Sequence, residues 1–186
     1  ARGWFVRSED RGQSFPNSVL CLLSSVLCSW HRWLYLTFLT SLALSAYKAG
    51  TASTVNNDGL LYLHTAQLFL EQGSKAAFQQ FNWPFFSLLI GWLHQVTGWS
   101  YETAAHSINA LLLAALSAGF VVFYRDITDR RGRWWIAAVI ILLSPQLNDY
   151  RSYIVRDIGY WCLSLWAVLY FVRYYRQGRW LDALAW

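Results

Sequence analysis

The chain has 186 residues, of which 56% are hydrophobic, 18% aromatic and only 13% charged, with a net charge of +5. A soluble domain carries about 25% charged residues, so this balance excludes an ordinary water-soluble fold and places the chain in a membrane. The positive charge is no nucleic-acid footprint, because the basic residues lie in short loops between apolar segments, a pattern of membrane topology.

Residues 1–17 are polar and mixed in charge and read as a cytoplasmic tail. Residues 19–30 are apolar but too few to cross a bilayer, and no small-x-small cleavage site follows them, so they read as an interfacial segment. The first span is expected at about 33–50, with His31 and Arg32 as its basic flank and Lys48 near its end. Residues 51–82 are polar by comparison. Within them Leu60, Leu61, Leu63, Leu68, Phe69 and Leu70 predict an amphipathic juxtamembrane helix over about 58–72. Asp58 is placed as its N-cap and Gly73 as its stop.

Residues 84–97 are apolar but include His94, Gln95 and a central Gly91. As a helix they would reach about 21 Å, short of a hydrocarbon core of about 30 Å. Further spans are expected at about 103–124, 134–148 and 158–174. His106 is the only titratable group of the second span, and should face other helices. Residues 176–186 read as a cytoplasmic loop and the start of another element. The chain contains no Met, even at position 1, and is expected to be a piece of a longer protein. Cys21, Cys28 and Cys162 form no C-x-x-C pair and read as packing residues.

Charge decides whether 84–97 crosses. If it does not, Arg2, Arg7, Arg11 and Arg32, then Arg125, Arg130, Arg131 and Arg133, then Arg173, Arg176 and Arg179 all fall inside. That leaves only Lys48, Lys75, Arg151 and Arg156 outside. If it does cross, most of the basic residues fall outside, against the positive-inside rule. The expectation is therefore an all-α, polytopic membrane protein with four spans, an inside N-terminus, and juxtamembrane helices at about 58–72 and 84–97. In that arrangement Asp58 and Asp157 share one face of the membrane.

Each acid by itself reads most simply as a helix cap that offsets the dipole of the helix it precedes. Arg151 and Arg156 flank Tyr153 in the second outer loop. They could grip a phosphate through a bidentate fork or anchor to lipid headgroups. His64 and His94 match no metal-ligand spacing. There is no phosphate-binding glycine loop, zinc pattern or nucleophile elbow.

The order of these features resembles the N-terminal part of the GT-C superfamily of membrane glycosyltransferases, nearest to the bacterial aminoarabinose transferases and the protein O-mannosyltransferases. The features are Asp58, Tyr62, Ala66 and Gly73 in the first outer loop, then Trp83-Pro84 through Gly98. A long span follows with a basic loop at Arg125 to Arg133, then Pro145 and Asp157. The resemblance covers roughly residues 31–175. It implies an inverting transfer of a sugar from a polyprenyl-phosphate carrier to a periplasmic or lipid acceptor in the bacterial inner membrane. Asp58 and Asp157 would be the catalytic acids, and Tyr62, Arg151 and Arg156 would bind substrate. A divalent cation, Mg or Mn, could sit near Asp58. No nucleic-acid partner is implied; membrane lipids are. Relatives often carry a second acid after the first, where Gly59 stands here, and a Glu-Lys pair before the proline, where Asn82-Trp83 stand. The half that completes the donor pocket in the family is not in this chain, which by itself is expected to be inactive. The rival readings are a lipid-binding or assembly subunit that retains the fold without the chemistry, and a transporter piece, against which no internal repeat is visible.

Overall fold

A computed structural model describes residues 30–52, 54–128, 133–178 and 180–186. The expectations for residues 1–29, including Cys21 and Cys28, and those for Arg130, Arg131 and Arg179 lie outside the described residues. Those described build helices and no strand, so the all-α expectation holds. The helices are α1 (Trp30–Thr51), α2 (Asn57–Gln72), α3 (Ser74–Gln80), α4 (Phe85–Thr97), α5 (Tyr101–Ile127), α6 (Trp134–Leu143), α7 (Pro145–Tyr150), α8 (Asp157–Gln177) and α9 (Trp180–Ala185).

Helix α5 is the central post. At 27 residues it is about 40 Å long, and among the described residues it is the one helix both long and apolar enough to cross a membrane. Ser100 starts it by accepting a hydrogen bond from the Thr103 backbone N–H at 3.1 Å, an ordinary N-cap. Three apolar clusters line its length. Near its start, Ala104 and Ala105 pack with Tyr62 and Ala66 of α2, Phe86 and Ile90 of α4, and Ile154. In the middle, Leu113 and Leu116 meet Val155, Ile158 and Cys162. Towards its end, Val121 meets Trp134, Ala137 and Ala138 of α6, backed by Trp30 and Trp33.

The α1–α5 seam is polar and built from small residues. Thr37, Ser41 and Ser45 recur every fourth position and are all buried. The Ser41 and Ser117 hydroxyls meet at 3.2 Å. Small residues with hydroxyls let two helices approach closely where no water competes. Across the post, Gly119 has the Trp166 indole at 3.0 Å from where a Cβ would stand, and that indole donates to the Ala115 carbonyl at 3.2 Å.

The helix stops follow local chemistry. Gly73, Gly98 and Gly178 close α2, α4 and α8 at positive φ, which glycine adopts without strain. The expected stretch 134–148 is helical but not continuous. α6 has only ten residues, about 15 Å, because Pro145 cannot continue its hydrogen bonding. The Asn148 side chain satisfies the Leu142 carbonyl at 2.9 Å, and α7 starts afresh. A short helix, α3, follows the Gly73 stop, where no separate element is expected. The bundle thus has one end carrying the loops 54–56 and 151–156, called here the loop end, and an opposite end carrying Arg125, Arg133, Arg173 and Arg176, the basic end.

Candidate functional site at the loop end

Asp58 is not the cap of α2. The N-cap position belongs to Asn56, with extended backbone and no side-chain cap bond, and Asp58 lies in the first turn. The Asn56 amide is engaged elsewhere. Its Oδ1 accepts from the Ile154 N–H at 2.9 Å, and its Nδ2 donates to the Ile154 carbonyl at 3.2 Å. One side chain thereby pairs with both backbone groups of a residue 98 positions away. Asp58 is left exposed, its carboxylate near the positive end of α2.

Gly59 is required by this junction. A Cβ there would stand 2.8 Å from Asn56 Oδ1 and Val55 Cγ1 and 3.0 Å from Ile154 Cβ. Its backbone is not at positive φ, so the need is for space, not for conformational freedom. One turn on, Tyr62 is 6% exposed, with the Phe86 and Phe81 rings edge-on at 5.4 and 5.9 Å.

The other half of the site is the strap 151–155 that leads into α8. Four groups fasten it. Arg151 donates through Nη1 to the Ser41 carbonyl at 2.8 Å, Ser41 Oγ at 3.0 Å and Ser45 Oγ at 2.7 Å. Its Nε donates to Asn148 Oδ1 at 2.8 Å. Asn109 of α5 donates to the Tyr153 carbonyl at 3.1 Å, and Asn56 holds Ile154. The strap hands the chain to Arg156, which takes the N-cap position of α8. Asp157 is therefore the first helical residue and not the cap.

These fastenings bring four of the five expected site residues into one neighbourhood. The Tyr62 phenol pKa is raised, first by burial, against which Arg156 acts, while Asp58 and Asp157 add to the rise. All three charges therefore act on the same ring. Arg156 and Asp157 are exposed, and the Arg156 guanidinium lies 5.3 Å over the Phe81 ring. Among the described residues none of Asp58, Arg156 or Asp157 has an ion-pair partner within 4.0 Å.

Arg151, expected to share a phosphate fork with Arg156, is placed apart from it. It is 3% exposed and turned into the α1 seam. Burial lowers its pKa, yet a guanidinium remains charged. Its observed work is to fasten the strap. His94 Nδ1 donates to the Trp99 carbonyl at 2.6 Å and its ring stacks on Tyr101, a structural role, and His64 is exposed.

For a divalent cation, the donors at hand are two exposed carboxylates in the field of a guanidinium. Among the described residues no three His, Cys, Asp or Glu side chains converge. Mg is commonly held by one or two carboxylates together with substrate phosphate oxygens, so Asp58 and Asp157 are the residues that would hold it here. No family model, no curated protein and no solved structure matches the chain.

Proposed function

We propose that this chain is the N-terminal part of a membrane glycosyltransferase that moves a sugar from a polyprenyl-phosphate carrier to a hydroxyl of a periplasmic or lipid acceptor. The observation that supports it best is the Asn56–Ile154 junction, which joins the loops bearing the exposed Asp58, Arg156 and Asp157 at one end of a membrane-length helix, none of the three being in an ion pair among the described residues. Under this reading the loop end faces the periplasm of a bacterial inner membrane. Helices α1, α5 and α8 span it, and α6 with α7 makes a broken fourth crossing. Helices α2 and α4 lie at the surface.

The reaction follows from the charges. The Asp58 carboxylate takes the proton of the acceptor hydroxyl as its oxygen attacks the anomeric carbon from the face opposite the carrier, so configuration inverts. The bond between the anomeric carbon and the carrier oxygen breaks, and its electron pair leaves on the phosphate. Arg156 offsets the negative charge that grows there. Asp157 accepts a hydrogen bond from a second hydroxyl and orients the acceptor. Tyr62 packs beneath Asp58 and fixes its turn.

Gly59 stands where relatives carry a second acid, and that favours one rival, a lipid-binding or assembly subunit without chemistry. One experiment separates them: sugar transfer by the full-length protein and its Asp58→Asn variant, with thermal stability measured alongside. Loss of about 10²–10⁴-fold in rate at parental stability is expected of a general base. Parental transfer by the folded variant would leave the non-enzymatic subunit.

A further inference from the structure

The loop end has a second polar feature, separate from the acids around Tyr62. A cleft of about 270 Å³ opens where the last turn of α1 meets the strap, lined by Lys48, Thr51, Ala52, Thr54, Ser152 and Tyr153. Two of its hydroxyls are already engaged as donors. Thr51 Oγ1 bonds the Tyr47 and Lys48 carbonyls, and Ser152 Oγ bonds the Asp149 carbonyl. The groups left to meet a ligand are the Lys48 ammonium, the Thr54 hydroxyl and the Tyr153 phenol. All three can donate hydrogen bonds, and among the described residues no carboxylate lines the cleft.

Arg151 precedes Ser152 in the chain, and its guanidinium bonds Ser45, one turn of α1 before Lys48. Its guanidinium is buried and bonded only to neutral oxygens. Among the described residues its Nη2 has no hydrogen-bond partner. Neither Arg151 nor Lys48 has a carboxylate within 4.0 Å there. A buried cation without a counter-ion is expensive, and a compact anion nearby offsets that cost. A cation in the cleft, a second one turn of α1 away, two free hydroxyl donors and, among the described residues, no lining acid describe a site for a tetrahedral oxyanion.

We infer that this cleft binds a phosphate group, with Lys48 as its cationic ligand, Thr54 and Tyr153 as hydroxyl donors, and the buried Arg151 charge one turn of α1 away. The phosphate can belong to a phospholipid headgroup or be free inorganic phosphate; the chemistry of recognition is the same. The inference does not depend on sugar transfer, since neither Lys48, Thr54 nor Tyr153 belongs to the group around Tyr62.

The test uses the full-length protein in a neutral detergent and two probes. Inorganic phosphate is titrated at constant ionic strength while the thermal midpoint is followed. Retention of dioleoylphosphatidylglycerol is compared with that of a phosphate-free galactosyl diacylglycerol by native mass spectrometry. Arg151 is left intact, because it fastens the strap. For whichever probe binds the parent, Lys48→Gln should weaken binding about tenfold, the loss of one charge-assisted hydrogen bond. Lys48→Arg should retain most of it, and Thr54→Val should give a smaller loss. Phosphatidylglycerol retention without a phosphate response identifies the lipid headgroup as the source; a phosphate response without retention identifies the free ion. The inference is overturned if the parent responds to neither probe, or if Lys48→Gln matches it for both.

Discussion

The two ends of the bundle handle charge in opposite ways. At the basic end one carboxylate gathers the cations. Asp126 is paired with Arg125 Nη2 at 2.6 Å through Oδ1 and with Arg173 Nε at 2.6 Å through Oδ2. Arg176 donates to its carbonyl, and the Arg125 guanidinium lies 4.1 Å over the Trp30 ring. This one cluster ties α5 to α8 and α1. At the loop end the fastening is shared between Arg151, bonded to neutral oxygens, and the amides of Asn56, Asn109 and Asn148, and among the described residues the charges of Asp58, Arg156 and Asp157 stay unpaired. Where charges are satisfied by one another they hold helices together. Where amides hold the chain, charges remain available for something that arrives from outside.

The sharpest way to break this comparison is to find both ends on one side of a membrane. In a background without native cysteines, a cysteine at Thr54 should react with an impermeant thiol reagent in intact cells, and one at Gln177 should not. Reaction at both would mean that the bundle does not cross the membrane between its two ends. The next effect is a crossed pair of substitutions. Asp126→Asn removes charge from two partly buried ion pairs and should cost about 1.5–3 kcal/mol of stability. It should leave sugar transfer per folded molecule near the parental rate. Asp58→Asn should do the reverse, shifting stability by less than about 0.5 kcal/mol, as exposed sites do. Denaturation midpoints and transfer rates of the two variants decide it; a destabilised Asp58→Asn would make that acid structural.

Gly59→Ala tests the junction itself. Its methyl group would press on Asn56 and Ile154, with an expected cost of about 1–3 kcal/mol from overpacking. Unchanged stability would mean that the two loops are not locked together as described.

Much of the helical layout was legible in the sequence, because hydropathy and glycine stops act locally. The stop at Gly73, the pair Pro84 and Gly98 around α4, and the length of α8 follow from residues within a turn of each boundary. The break at Ser144 was half visible: Pro145 signals it, but uninterrupted apolarity hid how short α6 becomes. What the sequence could not carry was pairing over distance. Asn56 lies in an Asn-Asn-Asp-Gly run that reads as a turn or cap, and only the fold shows its amide bound to Ile154. The fate of Arg151 was hidden for the same reason. Two arginines five positions apart look equivalent on paper, yet two serines on α1, Ser41 and Ser45, out of sight in the linear sequence, draw one inward and leave the other at the surface.

That division between the two arginines gives the smallest effect and the finest test. Arg156 is exposed and makes no ion pair within 4.0 Å among the described residues, so Arg156→Lys should leave stability within about 0.5 kcal/mol of the parent. If its guanidinium receives the charge on the carrier phosphate, lysine keeps the charge but loses the planar fork, and binding of a polyprenyl-phosphate analogue should weaken by several-fold. A headgroup anchor needs only a cation and would tolerate the change. Arg151→Lys should behave differently. A single ammonium cannot reach Ser41, Ser45 and Asn148 together, so its loss should appear first in the thermal midpoint. Equal analogue binding by Arg156→Lys and parent would remove Arg156 from the phosphate and leave it a surface anchor, with Asp58 and Asp157 as the only charged groups of the site still available to a substrate.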